Sequence, residues 1–269
     1  MKNKDSLRLI IFSDLHYADE KQNLKVKRKL VEQAQSVLDK LIKEINNIED
    51  VDAVINLGDF IQATKNKKRD LTNIKKIWNK CQKIKYKFYT ILGNHELKQV
   101  ESNKEVLKIF GYENATYSID IKDYHLLFLG TEINKEDEKF KTQYISKNDL
   151  EFIKEDLEIN ANKKIIIFSH FGIIEDKDLM SNYWAYTEDG ENLMLQNRRE
   201  LLEILSKYRI FCIFCGHQHW TKKLENDIAN CYMLGSLVEN INNDNVPDGV
   251  YFDVLIDNNN LQVIEKHIS

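Results

Sequence analysis

The chain has 269 residues, 42% apolar and 30% charged, which excludes a disordered chain and provides ample material for a buried core. Its net charge of -4 excludes a bulk attraction to nucleic acid or to an anionic membrane. No Pro/Gly/Ser-rich linker and no apolar run near the ~20 residues of a membrane span interrupts it, so a single cytoplasmic domain over residues 1–269 is expected.

The first apolar run, residues 7–12, reads as a strand buried on both faces and ends in Ser13-Asp14-Leu15-His16. Over residues 24–48, Leu30, Ala34, Val37, Leu38, Leu41, Ile42 and Ile45 recur at spacings of three and four, which predicts one amphipathic helix. A strand at 53–57 leads into Gly58-Asp59, and the lysine-rich stretch 65–69 beyond it reads as a solvated loop. A strand at 88–92 leads into Gly93-Asn94-His95-Glu96, while the run at 124–129 has no such ending. Ser146-Lys147-Asn148-Asp149 reads as a cap for a helix carrying Leu150, Ile153 and Leu157. A strand at 165–168 ends in Ser169-His170. The stretch 171–197 then breaks the rhythm, and its Tyr183, Trp184 and Tyr186 suit a lid that stacks on a base or covers a site. A helix from about Asn197 to Lys207 is followed by a strand at 210–214, which ends in Cys215-Gly216-His217-Gln218-His219. Residues 231–234, 250–256 and 262–267 alternate like antiparallel strands closing a sheet. Alternating strands and helices give an α/β class.

Five buried strands therefore end in a metal-competent cluster at the edge where α/β sheets bind ligands. Of 7 histidines, five (His16, His95, His170, His217 and His219) sit in these clusters. Asp14-x-His16 and His217-x-His219 place ligands at i and i+2, which leave one face of extended backbone. With Asp59, Asn94 and His170 they make seven oxygen or imidazole donors and no thiolate, a set suited to Mn, Fe, Co or Zn. Seven donors exceed what one tetrahedral ion uses, so two divalent ions are implied, bridged by a carboxylate at ~3.5–4 Å. Such a pair creates a hydroxide at neutral pH and neutralises phosphoryl oxygens during in-line attack. Gly58, Gly93 and Gly216 directly precede ligand residues, where close backbone approach is needed. Cys212 and Cys215 lie three apart in a strand, on opposite faces, and read as small buried residues, not as a zinc pair.

The ordered set Asp14-x-His16, Gly58-Asp59, Gly93-Asn94-His95-Glu96, His170 and Gly216-His217-x-His219 resembles the calcineurin-like metallophosphoesterase superfamily. The resemblance implies a four-layer α/β/β/α sandwich with two mixed β-sheets and the metals at their shared edge. It implies that Asp14, His16, Asp59 and His219 hold one ion, and that Asp59, Asn94, His170 and His217 hold the other. Asp59 bridges, and His95, not a ligand, protonates or stabilises the leaving oxygen. Glu96 has two readings, as a partner that orients His95 or as a carboxylate at a helix N-terminus. The activity implied is hydrolysis of phosphoric ester or diphosphate bonds in a small phosphorylated or nucleotide-like substrate, with Asp59 and His95 catalytic, a metal-bridging hydroxide as nucleophile and Mn favoured. A cyclic-nucleotide or other phosphodiesterase is the nearest alternative, and an inactive binding protein of the same fold is the alternative from another class.

Departures narrow the resemblance. Gly58-Asp59 continues as Phe60-Ile61-Gln62-Ala63 without the Asp-Arg pair of the protein phosphatases, which speaks against a phosphoprotein substrate. Glu96 stands where cyclic-nucleotide phosphodiesterases and repair nucleases of the superfamily often carry Asp, and there is no basic stripe for DNA. The run 14–19 and Gly235-Ser236-Leu237-Val238-Glu239 are similar to the manganese-dependent ADP-ribose/CDP-alcohol diphosphatase group. Tyr17 and Trp220, each beside a ligand residue, join Tyr183 and Trp184 as candidate substrate contacts.

Overall fold

The computed structural model describes residues 6–19, 28–133, 143–174, 194–242 and 244–268. A first sheet has the spatial order β13 (Asn260–His267), β12 (Val250–Asp257), β1 (Leu7–Phe12), β2 (Ala53–Asn56) and β3 (Phe88–Thr90). β1, β2 and β3 are parallel, and β12 and β13 pair antiparallel along their edge. A second sheet has the order β10 (Lys222–Leu224), β11 (Cys231–Gly235), β9 (Ile210–His219), β8 (Lys164–Ser169), β5 (Tyr124–Phe128) and β4 (Tyr117–Ile121). Its four inner strands are parallel and both outer ones antiparallel. A short pair, β6 (Glu132–Ile133) with β7 (Gln143–Tyr144), stands apart from both sheets.

Residue alternation assigns each strand to two layers. Leu7, Leu9 and Ile11 face Leu126, Phe128, Ile166, Phe168 and Phe214 between the sheets. Ile10, Phe12 and Val54 face outwards against α1 (Ala34–Asn47) and α2 (Lys67–Cys81), through Leu38, Leu41, Ile45, Ile74 and Ile77. On the far side Leu127, Ile165 and Ile167 meet α5 (Lys147–Ile159) and α6 (Arg198–Leu205), through Leu150, Ile153, Leu157, Leu201 and Leu205. The result is an α/β/β/α sandwich of two mixed sheets. The short α3 (Asn94–Leu97) and α4 (Lys104–Phe110) follow β3. Cys212 lies in the layer between the sheets and Cys215 in the outer one, so the two thiols do point apart. Among the described residues no helix is long and apolar enough to cross a membrane.

Several elements differ from expectation. The helix expected over 24–48 starts only at Ala34, after a single 3-10 turn at Val31–Gln33. Upstream, Leu30 N–H donates to Val238 O at 2.8 Å and Asn240 N–H donates to Arg28 O at 2.7 Å, so 28–30 is extended chain tied to the 238–240 segment. The stretch 65–69 is not all loop: Asn66 Oδ1 accepts from Arg69 N–H at 3.1 Å and caps α2, whose first turn takes in Lys67, Lys68 and Arg69. In the tail only β12 and β13 close the first sheet, whereas β11 joins the second, parallel to β9.

Candidate metal centre

All seven expected donors come together at the C-terminal ends of the parallel strands. The first sheet delivers Asp14 and His16 after β1, Asp59 after β2 and Asn94 after β3, and the second delivers His170 after β8 with His217 and His219 at the end of β9. Asp14, His16 and His219 form one group whose ligand atoms lie within 4.8 Å of one another, and Asp59, His170 and His217 form another. Asn94 Oδ1 lies 3.2 Å from His170 Nε2, beside the second group.

The backbone that carries these side chains is not simple extended strand. Asp14, His16, Asp59, His217 and His219 all have positive φ, from 46° to 67°. Both members of each i and i+2 pair thus adopt the left-handed region, so neither pair is a flat pleat, and His217 and His219 go to different groups. Close approach accompanies the turns: a Cβ on Gly93 would lie 2.2 Å from Asp59 Oδ1, and Gly58, at φ 98°, would meet Gly93 N at 2.7 Å.

Hydrogen bonds decide which atom of Asp14, Asp59, His170 and His219 faces the centre. Asp14 Oδ2 accepts from Ser13 Oγ at 2.5 Å and from His217 N–H at 3.0 Å, which leaves Oδ1 towards His219 Nε2 at 3.0 Å. Asp59 Oδ1 accepts His95 N–H at 2.8 Å, and its Oδ2 lies 3.6 Å from His16 Nε2 and 3.5 Å from His170 Nε2. His170 donates from Nδ1 to Leu57 O at 2.7 Å, and His219 from Nδ1 to Glu239 Oε2 at 2.5 Å, so both turn Nε2 inwards. His16 Nε2 sits 2.9 Å from His219 Nε2, while His16 Nδ1 is buried with no hydrogen-bond partner among the described residues.

Burial alone would raise Asp14 and Asp59, yet the surrounding histidines outweigh it and hold both carboxyls well below their usual range. Burial, reinforced by the Lys29 ammonium, lowers His16 to about 4, and burial with His170 lowers His217 to about 3. Burial also opposes a charge on His170, but the Asp59 carboxylate prevails and lifts it to about 9. Ionised carboxylates and neutral rings are the ligating forms, and the proton favoured at His170 marks a place that prefers a cation. The donor set thus fits divalent metal ions.

His95 lies within the same cluster, its Nε2 4.0 Å from Asp59 Oδ2. Ala63 N–H donates to its Nδ1 at 2.9 Å, so Nε2 carries the hydrogen and has no lone pair for a metal. Glu96 does not orient His95. Its carboxylate accepts from Gly93 N–H at 2.8 Å and Asp59 N–H at 2.9 Å, which is the helix N-terminal reading, and burial with the Asp59 charge pushes it up to about 7.

The proposed substrate contacts fare differently. Tyr17 is buried in the core beneath α2 with its hydroxyl 2.5 Å from Lys76 Nζ, so it is not a wall of the site. Trp220 packs its partly buried ring on the outer core of the second sheet. Tyr183 and Trp184, with most of the expected lid, lie outside the described residues; its ends are joined by Leu195 N–H donating to Gly172 O at 3.1 Å. Sequence reasoning missed Lys29, whose Nζ is 3.1 Å from His16 Nε2, and Lys98, whose Nζ is 3.3 Å from His95 Nε2. It also missed the part of Glu239, which binds Arg28 Nε as well as His219. The run 235–239 was the only signal for Glu239, and the helical spacing around Lys29 concealed it.

A curated relative named as a probable cyclic nucleotide phosphodiesterase of Xenorhabdus bovienii (strain SS-2004) is 26% identical over 183 residues, 66% of this chain. The match spans 65% of that relative's own length. A dimetal phosphatase from Danio rerio has the same fold, with a TM-score of 0.71 at 15% identity over 98% of this chain and 99% of that one. GAP50, described as the anchor in the inner membrane complex of Plasmodium, gives a TM-score of 0.60 at 14% identity over 97% and 84%. The sequence model of calcineurin-like phosphoesterases matches residues 7–221, the span that contains every candidate ligand. The chain belongs to the calcineurin-like phosphoesterase family, a family of phosphoric ester hydrolases built on a dinuclear divalent metal centre.

Proposed function

We propose that the chain is a two-metal hydrolase of phosphoric ester or diphosphate bonds in a small phosphorylated or nucleotide-like substrate, with Mn the favoured ion. One observation carries the reading: a single oxygen, Asp59 Oδ2, faces His16 of one ligand group and His170 of the other. Asp14, His16 and His219 would hold one ion with Asp59, and Asn94, His170 and His217 the other. Bound there, the ions supply Lewis acidity and a nucleophile at neutral pH. Asp59 is kept in place by His95 N–H on one oxygen and, through its own N–H, by Glu96. His95 presents Nε2–H to the centre and stabilises the leaving oxygen as a hydrogen-bond donor. Asp59→Asn should retain the far-ultraviolet spectrum of the wild type and lose at least about a hundredfold in kcat/KM with Mn. Unchanged turnover in that variant, or after complete chelation, would overturn the reading.

A second reading, hydrolysis of a cyclic nucleotide or another phosphodiester, is favoured by the printed name of the curated relative. A panel of para-nitrophenyl phosphate, its bis-ester, ADP-ribose and a cyclic nucleotide separates the two.

A further inference from the structure

A centre that only holds divalent cations gains nothing from ammonium groups aimed into it, because like charges repel strongly where water is scarce. Two lysines are nevertheless placed there from separate segments. Lys29 is fixed by the extended 28–30 chain, and its Nζ lies 3.1 Å from His16 Nε2, an atom that faces both carboxylates. Once the lone pair of that nitrogen is committed to an ion, the ammonium must direct its hydrogens at another acceptor. Lys98 follows α3, with its Nζ 3.3 Å from His95 Nε2. Because Ala63 N–H occupies His95 Nδ1, these are two donors side by side, both able to donate to one acceptor oxygen placed between them. The His16 and His95 rings themselves meet edge to face, with centroids 4.7 Å apart, so both ammonium groups serve one side of the centre.

We propose that Lys29, Lys98 and the Nε2–H of His95 form an anion clamp on the leaving-group side, which selects substrates whose leaving group carries its own negative charge. The inference rests on the proposed hydrolase reading. On attack, a water oxygen bonds to phosphorus and its proton passes to solvent, while the P–O bond to the leaving group breaks with its electron pair staying on the leaving oxygen. A phosphate leaving group, with a second pKa of about 6, needs no proton at neutral pH, so three hydrogen-bond donors are sufficient for it. An alkoxide would need an acid, which the Ala63 contact keeps His95 from being.

The test uses the Mn-loaded full chain, wild type, Lys29→Met and Lys98→Met, with ADP and bis-para-nitrophenyl phosphate as substrates. Cleavage of the ADP anhydride releases an anionic phosphate or AMP whichever phosphorus is attacked, and the bis-ester leaves a nitrophenol. Each variant should lower the ratio of kcat/KM for ADP to that for the bis-ester at least tenfold, and metal content by mass spectrometry should stay at the wild-type stoichiometry. A ratio within twofold of wild type, or a loss of metal that matches the loss of rate, overturns the clamp. Calorimetric titration with AMP keeps this separate from the parent reading. If wild type hydrolyses neither probe the hydrolase reading fails, whereas the clamp still requires AMP affinity to fall at least tenfold in both variants and is overturned if it does not.

Discussion

His170 and His219 owe their orientation to the nitrogen that faces away from the centre, one held by the Leu57 carbonyl and the other by Glu239. The Glu239 carboxylate is itself kept below its ordinary range: burial would raise it, but His219 and Arg28 outweigh that. It therefore remains an ionised acceptor that fixes the His219 tautomer and strengthens its donor nitrogen. Glu239→Gln should weaken ion binding at the Asp14, His16 and His219 group by about 10–100-fold, read by competition with a chelating dye. Equal affinity would show that the contact plays no part in holding the ion. At this scale the ligands were readable in the sequence because each follows an apolar run, with Asp59, Asn94 and His217 directly behind a glycine and His219 two positions beyond His217. Their partners were not readable. Ala63 N–H on His95 and Lys29 against His16 are contacts across 32 and 13 residues that only the folded chain creates.

Between elements, one histidine outside the metal cluster joins three pieces of structure. His125 on β5 meets Asp120 of β4 at 2.9 Å through Nδ1 and Asp156 of α5 at 2.6 Å through Nε2. Both ring nitrogens face carboxylates, so although burial opposes a charge, Asp156 and Asp120 prevail and raise the ring above its ordinary value. A group whose folded value is raised stabilises fully below its unfolded value, about 6.5, and that contribution is lost as pH rises through the folded value. The urea midpoint of His125→Gln should fall furthest below wild type under about pH 6.5, and the gap should narrow on going alkaline. A gap that widens with pH would refute the charged bridge. The strands were legible as elements because Leu, Ile and Phe fill consecutive positions buried on both faces. α2 was not, since Lys67, Lys68, Lys75, Lys76 and Lys80 dilute its buried positions Ile74, Ile77 and Cys81. The false start of α1 arose because Leu30 falls in helical phase yet spends its backbone hydrogen bond on Val238.

At the scale of the molecule, the centre spans the two sheets, with Asp14, His16, Asp59 and Asn94 from one and His170, His217 and His219 from the other. An ion held by Asp14, His16 and His219 therefore links the sheets as a clip would. Because it binds the folded chain and not the unfolded one, chelation should lower Tm by several degrees and re-addition of Mn should restore it. An unchanged Tm would mean that the sheets are already locked by the stacked Phe128, Phe168 and Phe214 and the apolar layer between them. The five ligand residues at positive φ sharpen the expectation. Held there without a glycine, each costs of order 1 kcal/mol, together about 5, against a net stability of about 5–15 for a typical fold. A directed search for thermostable variants would therefore be drawn to glycine at Asp14, His16, Asp59, His217 and His219. Heat resistance gained there would come at the expense of the centre, so selection for stability alone drives this chain towards an empty scaffold.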